Sequence, residues 1–483
     1  MDKLLKTDLT QGLLDNAVYD TVVKNHVQKL SDLLKKNSAD IIIHGQYFLE
    51  LLNPSINSLS YLAVLHTLLI PGVATTIPRE TLLEKLVLFL LTFDPVQCRY
   101  AGHYLQEVFH LAGSSDLLPP SAGVEVLAIA ILRLDPTGSM LTTSHIYLAR
   151  LAYNTNTIEP ALQVIEKSIV FFPGMANPTE PRYLCDRDLP PSAYISKETG
   201  LTGILKSTNV MEYDMLCGLM YCSRRDWAKA HVAFERIVSF PTREGGVSKV
   251  MVEAYKKWVL VGLLSQGRLA DPPGYTSASA TKYYGSLAKA YTTLAVLFVA
   301  DDAQELKAEA EKSASVWADD GNTSLVREVL AAYQKWRVLG LERVYSKISL
   351  PEIRRQTTSA ETGQPLAGDD DVEMLLQNMI ISGMLSGVIE KNDDGTAFLT
   401  FLSPSARMSE QDVARELAAS AGRLKQLQPL FKATRDRLGT SKEYVRYAIK
   451  EKRAEKNNEP DPTFSFDVQV DDEDLMGGVI ATG

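Results

Sequence analysis

The sequence has few cysteines and no long uninterrupted apolar run. Among 483 residues there are four cysteines, which is too few for a disulfide framework and suits a reducing compartment. No apolar stretch reaches the ~18 residues that span a bilayer, since the longest candidate, LLEKLVLFLLTF, contains Glu84 and Lys85. The first residues, MDKLLKTDLT, lack the apolar core of a signal peptide. We therefore expect a protein of the cytoplasm and nucleus with no membrane partner.

The sequence also lacks an excess of positive charge. Its 50 lysines and arginines are outnumbered by 59 aspartates and glutamates, which gives a net charge of −9. A surface dedicated to nucleic acid would move this balance toward the positive. DNA is therefore not the expected partner.

Histidine is scarce and poorly placed for metal chemistry. The seven histidines form no His-x-His pair and no HExxH segment, whereas a zinc hydrolase needs three clustered ligands and one open position. His103 and His110 could share a helix face, but the sequence places no third ligand with them. The segment GILKST at 203–208 lacks the glycines of a phosphate loop. We predict no enzymatic activity, no metal, no cofactor and no small-molecule ligand.

Helical periodicity, by contrast, is abundant. In SLSYLAVLHTLL, residues 58–69, leucines recur at three- and four-residue steps, and similar segments fill most of the first 340 residues. Such segments in series predict a mainly α solenoid of antiparallel helix pairs. A stretch rich in proline and polar residues at 172–209 interrupts the pattern and is expected to be a long loop.

One helix pair carries a more specific pattern. Within residues 213–241, Gly218, Tyr221, Ala230 and Phe234 have the offsets of a tetratricopeptide repeat, while Asp214 holds the place of the usual tryptophan. The glycine and alanine would let two helices approach closely, and the two rings would fill the space between them. We predict a TPR-like helical hairpin here.

Residues 370–401 are predicted to form a helix, a strand, a tight turn and a second strand. A short helix with Ser349 as its N-cap precedes them, so the order predicts a winged helix over residues 337–403. The helix just before the first strand opens with Asp369, Asp370 and Asp371 and contains no lysine or arginine. Because DNA-reading helices use cationic and amide side chains, this helix would repel phosphate rather than bind it.

The second strand, TAFLTFL, is apolar on both faces. Leu399 and Phe401 are expected to face one way, and Phe398 and Leu402 the other. One face can pack on the domain's own helices, whereas the second face and the strand's open edge would need a partner. The alternative is that the chain's own C-terminal helices cover them. The predicted subunit interface comprises Val388, Ile389, Phe398, Leu399, Thr400, Phe401 and Leu402.

A second interface is predicted in C-terminal bundle helices at residues 404–456. Leu417, Leu424, Phe431 and Leu438 recur every seven residues, with Leu427 between them, which is typical of a seam for a partner helix. The surrounding basic residues favour a solvated face over RNA contact.

The predicted organisation therefore has four parts. They are helical repeats at 1–212 with the loop at 172–209, a domain at 213–403 made of TPR-like helices (213–336) and the winged helix (337–403), bundle helices at 404–456, and an acidic disordered tail at 457–483.

Helical repeats that lead into a winged helix and terminal helices resemble the PCI domain family. This family supplies subunits of the proteasome lid, the COP9 signalosome and translation initiation factor eIF3. The segments VEAYKKWVLVGLL and LVREVLAAYQKWRVLGLERVYSKISLPEI are most similar to the family of third subunits of the signalosome. The resemblance covers residues 213–403 well and 40–170 loosely.

The resemblance implies a scaffold without catalytic residues of its own. Subunits of this kind align their winged helices edge to edge, and their terminal helices enter a shared bundle. The neighbours would be subunits 1 and 8 of a complex that removes NEDD8 from cullin–RING ligases. The alternatives are a scaffold subunit of the proteasome lid or of eIF3 and, from another class, a nucleic-acid-binding adaptor.

Overall fold

The computed structural model describes most of the chain: residues 2–9, 15–70, 77–114, 117–173, 181–242, 246–392, 396–402, 410–439, 442 and 444–450. Regular structure in these ranges is mostly helical, which confirms the mainly α fold class. None of the helices in the described ranges combines enough length with enough apolar character to cross a lipid bilayer. The chain divides into two compact units, Met1–Arg407 and Met408–Gly483.

The described helices of the first unit are α1 (Asp2–Leu5), α2 (Asn16–Leu51), α3 (Ser58–Leu69), α4 (Arg79–Thr92), α5 (Pro95–Cys98), α6 (Gly102–Ala112), α7 (Pro120–Leu134), α8 (Thr143–Asn154), α9 (Glu159–Ile165), α10 (Pro191–Tyr194), α11 (Ser207–Ser223), α12 (Trp227–Val238), α13 (Lys249–Gln266), α14 (Ala278–Leu287), α15 (Lys289–Val299), α16 (Ala303–Lys312), α17 (Ala314–Asp319), α18 (Thr323–Leu341), α19 (Leu350–Gln356) and α20 (Asp369–Ile381). Its strands are β1 (Lys347–Ser349), β2 (Gly387–Lys391) and β3 (Ala397–Phe401). The second unit contributes α21 (Glu410–Gly439).

The bounds of α13 show how local chemistry sets these elements. The Ser248 hydroxyl accepts a hydrogen bond from the Met251 amide at 3.3 Å and so caps the first turn. Gly267 ends the helix with φ of 68°, a conformation that disfavours a side chain. A Cβ at Gly267 would also lie 2.4 Å from the Trp336 ring, so this helix end requires glycine for two independent reasons.

A single apolar core runs through the helical array from Leu5 to Ala360. α11 begins at Ser207, so the predicted boundary between residues 212 and 213 falls inside a helix. The buried side chains of α11 belong to the same core as those of the preceding repeats. The repeats and the TPR-like helices therefore fold as one array.

In the Pro-rich stretch, residues 181–206 form a strap that packs on the helical repeats. Its buried side chains include Cys185, Tyr194 and Leu201. The Arg99 guanidinium donates from Nη1 to the carbonyls of Leu184 (2.8 Å) and Asp186 (2.7 Å). The same guanidinium lies 3.7 Å from the centroid of the Tyr194 ring. A buried arginine thus fixes residues 184–194 on the repeats by charge-assisted hydrogen bonds and a cation–π contact.

α18 connects the array to a second, smaller core. Val326 and Val329 pack in the large core, whereas Val338 packs with side chains of β1, α19, α20 and β3. The three strands form an antiparallel sheet in the order β1-β3-β2. A helix, a strand, two helices and a hairpin in this order make a winged helix.

The described residues of the second unit are 410–439, 442 and 444–450, and residues 410–439 form α21, a helix of 30 residues. It spans part of the predicted bundle region at 404–456. The predicted tail at 457–483 lies outside the described residues.

Candidate subunit-interface surfaces

The TPR-like residues hold α11 and α12 together inside the array. A Cβ at Gly218 would lie 2.5 Å from Phe234 Cε1, so the helices approach as closely as a glycine allows. Tyr221, Ala230 and Phe234 are all buried. These four residues are therefore unavailable to a partner.

Asp214, at the place of the usual tryptophan, is a buried carboxylate with a partner. Its Oδ1 accepts a hydrogen bond from Arg236 Nη1 at 2.8 Å. Burial raises the pKa of the Asp214 carboxyl to about 6, and the charge of Arg236 opposes that shift. An ion pair from α12 to α11 replaces the ring that a TPR would use.

The structure contradicts the prediction that β3 has an open edge. β3 is the central strand, because β1 pairs with it on one side and β2 on the other. The Phe401 amide donates to the Ser346 carbonyl at 2.9 Å, and the Leu402 amide donates to the Ser386 carbonyl at 3.0 Å. β1 is only three residues long and fills the edge that a partner strand was expected to use.

Two residues of the predicted interface, Leu399 and Phe401, lie inside the winged helix. Both belong to its core, together with Ile353 of α19 and Leu376 of α20. Ile389, which is half-buried, pairs with Leu399 across the sheet and shares that inward face. The prediction that Leu399 and Phe401 contact another subunit is wrong, because the chain's own helices cover their side chains.

The outward face of the sheet carries the other predicted residues. Val388 is exposed, and Phe398, Thr400 and Leu402 are half-buried. A polar bridge crosses this face, since Glu390 Oε2 accepts hydrogen bonds from Lys347 Nζ (2.8 Å) and Thr400 Oγ1 (3.3 Å).

Lys347 has a second contact on this face. Its ammonium lies 5.3 Å from the centroid of the Phe398 ring, and its hydrogen bond lowers the pKa of Glu390. The outward face is thus a mixture of apolar side chains and one exposed ion pair, as protein interfaces commonly are.

The free edge of the sheet belongs to β2. The amides of Leu402 and Asn392 donate to Ser386 and Thr396, so the backbone groups of even-numbered residues in β2 point toward β3. Those of Gly387, Ile389 and Lys391 point away, and no other strand in the described part of the chain pairs with them. A partner strand could add here, one strand away from the predicted position.

α20 has the place of a DNA-reading helix and a different chemistry. Asp369 lies 3.6 Å from Arg354, and the Asp371 carboxylate accepts a hydrogen bond from the Gly368 amide at 3.2 Å. Two of the three aspartates therefore stabilise the helix start, where the macrodipole favours negative charge. The exposed side of the helix presents Met374 and Ile381, which the prediction did not include.

The seam on α21 is exposed to solvent. Leu417, Leu424 and Phe431 are 66%, 69% and 68% exposed, and Leu427 and Leu438 are exposed as well. The helix is thus formed, and its apolar stripe is exposed. Large apolar side chains in such a row are typical of a site that a partner covers.

No catalytic arrangement is found in the ranges that the structure describes. No group of three or more His, Cys, Asp or Glu could hold a metal ion there. Burial lowers the pKa of His145 to about 4 and raises the pKa of the Cys98 and Cys217 thiols well above neutrality. Each of these three buried side chains is therefore uncharged at neutral pH.

Known proteins resemble this chain over most of its length. A family model described as COP9 signalosome complex subunit 3, N-terminal helical repeats, matches residues 19–185 and 191–280. A protein of Neurospora crassa named COP9 signalosome complex subunit 3 is 40% identical over 442 residues, which cover 90% of this chain and 89% of that protein. A protein of the same name from Emericella nidulans is 28% identical over 450 residues, 89% of each chain.

Proposed function

The chain belongs to the family of COP9 signalosome complex subunit 3, and from that premise we propose that it is a non-catalytic scaffold subunit of a COP9 signalosome. The complex would remove NEDD8 from cullin–RING ubiquitin ligases in the cytoplasm and nucleus, with the isopeptidase chemistry in another subunit. Subunits 1 and 8 would be its neighbours. Membership of this family favours the signalosome over the proteasome lid and eIF3 as the complex to which the chain belongs.

The observation that carries the proposal is the exposed seam of α21. Three of its side chains are about two-thirds exposed, at positions seven residues apart. Burying each of them would stabilise an assembly by about 1.5–3 kcal/mol. A helix of this kind supports incorporation into a bundle of helices from several subunits.

The winged helix supports the proposal with a second surface. Val388, Glu390 and Lys391 of β2 are exposed, while the inward face of the sheet packs on α19 and α20. A neighbouring subunit could contact Val388 and Phe398 and add backbone hydrogen bonds at Ile389 and Lys391. The acidic start of α20 supports a protein partner over DNA.

Co-expression of the full chain with the other signalosome subunits tests the proposal. The seam variant Leu417→Asn/Leu424→Asn/Phe431→Asn should no longer co-purify with them, whereas the unmodified chain should. A matched control, Ala418→Asn/Ala419→Asn/Lys425→Asn, places three asparagines on the side of the helix away from the seam. The control should co-purify like the unmodified chain.

Two results would overturn the proposal. One is normal co-purification of the seam variant, because the seam would then have no role in assembly. The other is isopeptidase activity of the purified chain alone on a cullin–NEDD8 conjugate, which would contradict a non-catalytic role.

A further inference from the structure

The seam of α21 has a more complete heptad pattern than its leucines alone indicate. In a heptad labelled a to g, Leu417, Leu424, Phe431 and Leu438 occupy position a. Position d is then occupied by Val413, Ser420, Leu427 and Thr434. The two ends of this row, Val413 and Leu438, are also exposed. The row spans more than three heptads, roughly 38 Å at 1.5 Å per residue, which is long enough for a coiled coil.

Two copies of α21 that run antiparallel would match each other in side-chain size along this row. In an antiparallel coiled coil, a positions of one helix lie beside d positions of the other, and one register pairs every member of this row. The four pairs in that register are Val413 with Leu438, Leu417 with Thr434, Ser420 with Phe431, and Leu424 with Leu427. The largest side chain, Phe431, faces the smallest, Ser420, which allows close packing.

A parallel pair would lack this fit. Each residue would then face its own copy, so Phe431 would meet Phe431 while Ser420 met Ser420 across a gap. Size complementarity therefore favours the antiparallel arrangement.

The charges along α21 favour the same arrangement. Residues 410–416 hold three carboxylates and one guanidinium, whereas residues 432–437 hold three cations and one carboxylate. An antiparallel pair brings the acidic end of each helix beside the basic end of the other and opposes the two macrodipoles. A parallel pair would place like charges together.

We propose that the free chain pairs with a second copy of itself through α21, in an antiparallel coiled coil with Val413 of one copy beside Leu438 of the other. The interface is isologous and closes as a dimer. It would cover the apolar seam until helices of other subunits replace the second copy. The inference goes beyond the proposed function and stands without it, since a self-pairing helix needs no other subunit.

Disulfide trapping tests the register directly. Because a disulfide forms only when the two Cα atoms lie within about 7 Å, we expect a mixture of Val413→Cys and Leu438→Cys chains to give a covalent dimer under mild oxidation. Each variant alone should remain uncrosslinked, as its cysteines would lie at opposite ends of the dimer. The unmodified chain controls for the four native cysteines, three of which are buried.

Light scattering of the purified full chain gives the second readout. At micromolar concentration the unmodified chain should have about twice its mass of 53.3 kDa. The Leu417→Asn/Leu424→Asn/Phe431→Asn variant should have the single mass, and the Ala418→Asn/Ala419→Asn/Lys425→Asn control the doubled one. Unchanged tryptophan fluorescence would show that the array remains folded, because all four tryptophans lie in residues 227–336.

Three outcomes would overturn the inference. They are a monomeric unmodified chain, a dimeric seam variant, and crosslinking of Val413→Cys alone, which would mean a parallel pair. A monomer that still assembles with the other subunits would leave the proposed function intact. A dimer that fails to assemble with them would contradict only the proposed function.

Discussion

Phe234 of α12 and Phe431 of α21 are the same residue type on helices with an apolar stripe, but they have opposite surroundings. Phe234 is 0% exposed, since Gly218 leaves room for its ring between α11 and α12. Phe431 is 68% exposed. The spacing of apolar residues predicts a stripe that needs cover in both cases. In the first case the cover is provided by the neighbouring helix α11.

The same contrast occurs between neighbours on β3. Leu399 is enclosed in the winged-helix core, while Phe398 points outward beside Lys347. Alternation along the strand places one residue in the fold and the next on a surface. Substitutions at these two pairs separate residues that maintain the fold from residues that are available to a partner.

The largest effect is expected for Leu399→Asp. It would remove a fully buried side chain and place a carboxylate in an apolar core, which should cost upwards of about 4 kcal/mol of unfolding free energy. Phe398→Asp should cost far less, because its side chain is half-solvated. Hydrogen exchange of peptides that cover residues 345–402 would measure both, and equal loss of protection would contradict the inward and outward assignment.

A somewhat smaller effect is expected for Phe234→Ala. Emptying the space beside Gly218 should lower the unfolding free energy of the array by about 3–5 kcal/mol. Phe431→Ala should change it by no more than about 0.5 kcal/mol, because that ring has no cover within the described chain. Urea denaturation followed by tryptophan fluorescence reports on the array alone. A destabilised array in Phe431→Ala would mean that the two stripes are not independent.

The smallest of the three effects is the loss of stability at low pH that results from His145. The pKa of His145 is held near 4, below its ordinary 6.5, because charging would place an unsolvated imidazolium in the core. Stability from this group is therefore complete above pH 6.5 and is lost as the pH falls toward 4, by about 3 kcal/mol in all. Asp214, whose pKa is raised, acts in the opposite direction between pH 6 and 3.8.

His145→Gln isolates the contribution of the histidine. Nδ1 of His145 is hydrogen-bonded to the Thr142 hydroxyl at 2.8 Å, and glutamine can replace it in this capping box without titrating. The variant should lose less stability than the unmodified chain between pH 6.5 and 4, as measured by urea denaturation at each pH. α21 contains no histidine, so its self-pairing should not follow this titration. Identical pH profiles of the two chains would refute the assignment.

Local patterns were sufficient to predict the winged-helix hairpin. GVIEK and AFLTF form β2 and β3, and Ser349 stands at the N-cap of α19. These features depend on turn chemistry and alternation over a few residues, which the sequence displays directly. β1 was not predictable in this way, because three residues, KIS, carry too short a pattern and pair with a strand about fifty residues away.

Local sequence patterns also could not predict that residues 181–206 pack on the repeats as a strap. Its proline content indicates the absence of regular structure, and most of it has none. Its position depends on Arg99, which lies more than eighty residues earlier and binds the carbonyls of residues 184 and 186. A hydrogen bond between such distant residues leaves no mark in composition or spacing.

The sequence by itself determined the helical class, the TPR-like pair, the hairpin and the heptads of α21, because each is a short-range periodicity of apolar residues. Tertiary structure decided which stripe is covered and which edge is free. Because β1 pairs with β3, the open edge of the sheet belongs to β2. The packing of α19 and α20 encloses Leu399 and Phe401, whereas Phe398 faces outward. Burial depends on what lies across a gap in space, and periodicity along one segment carries no information about it.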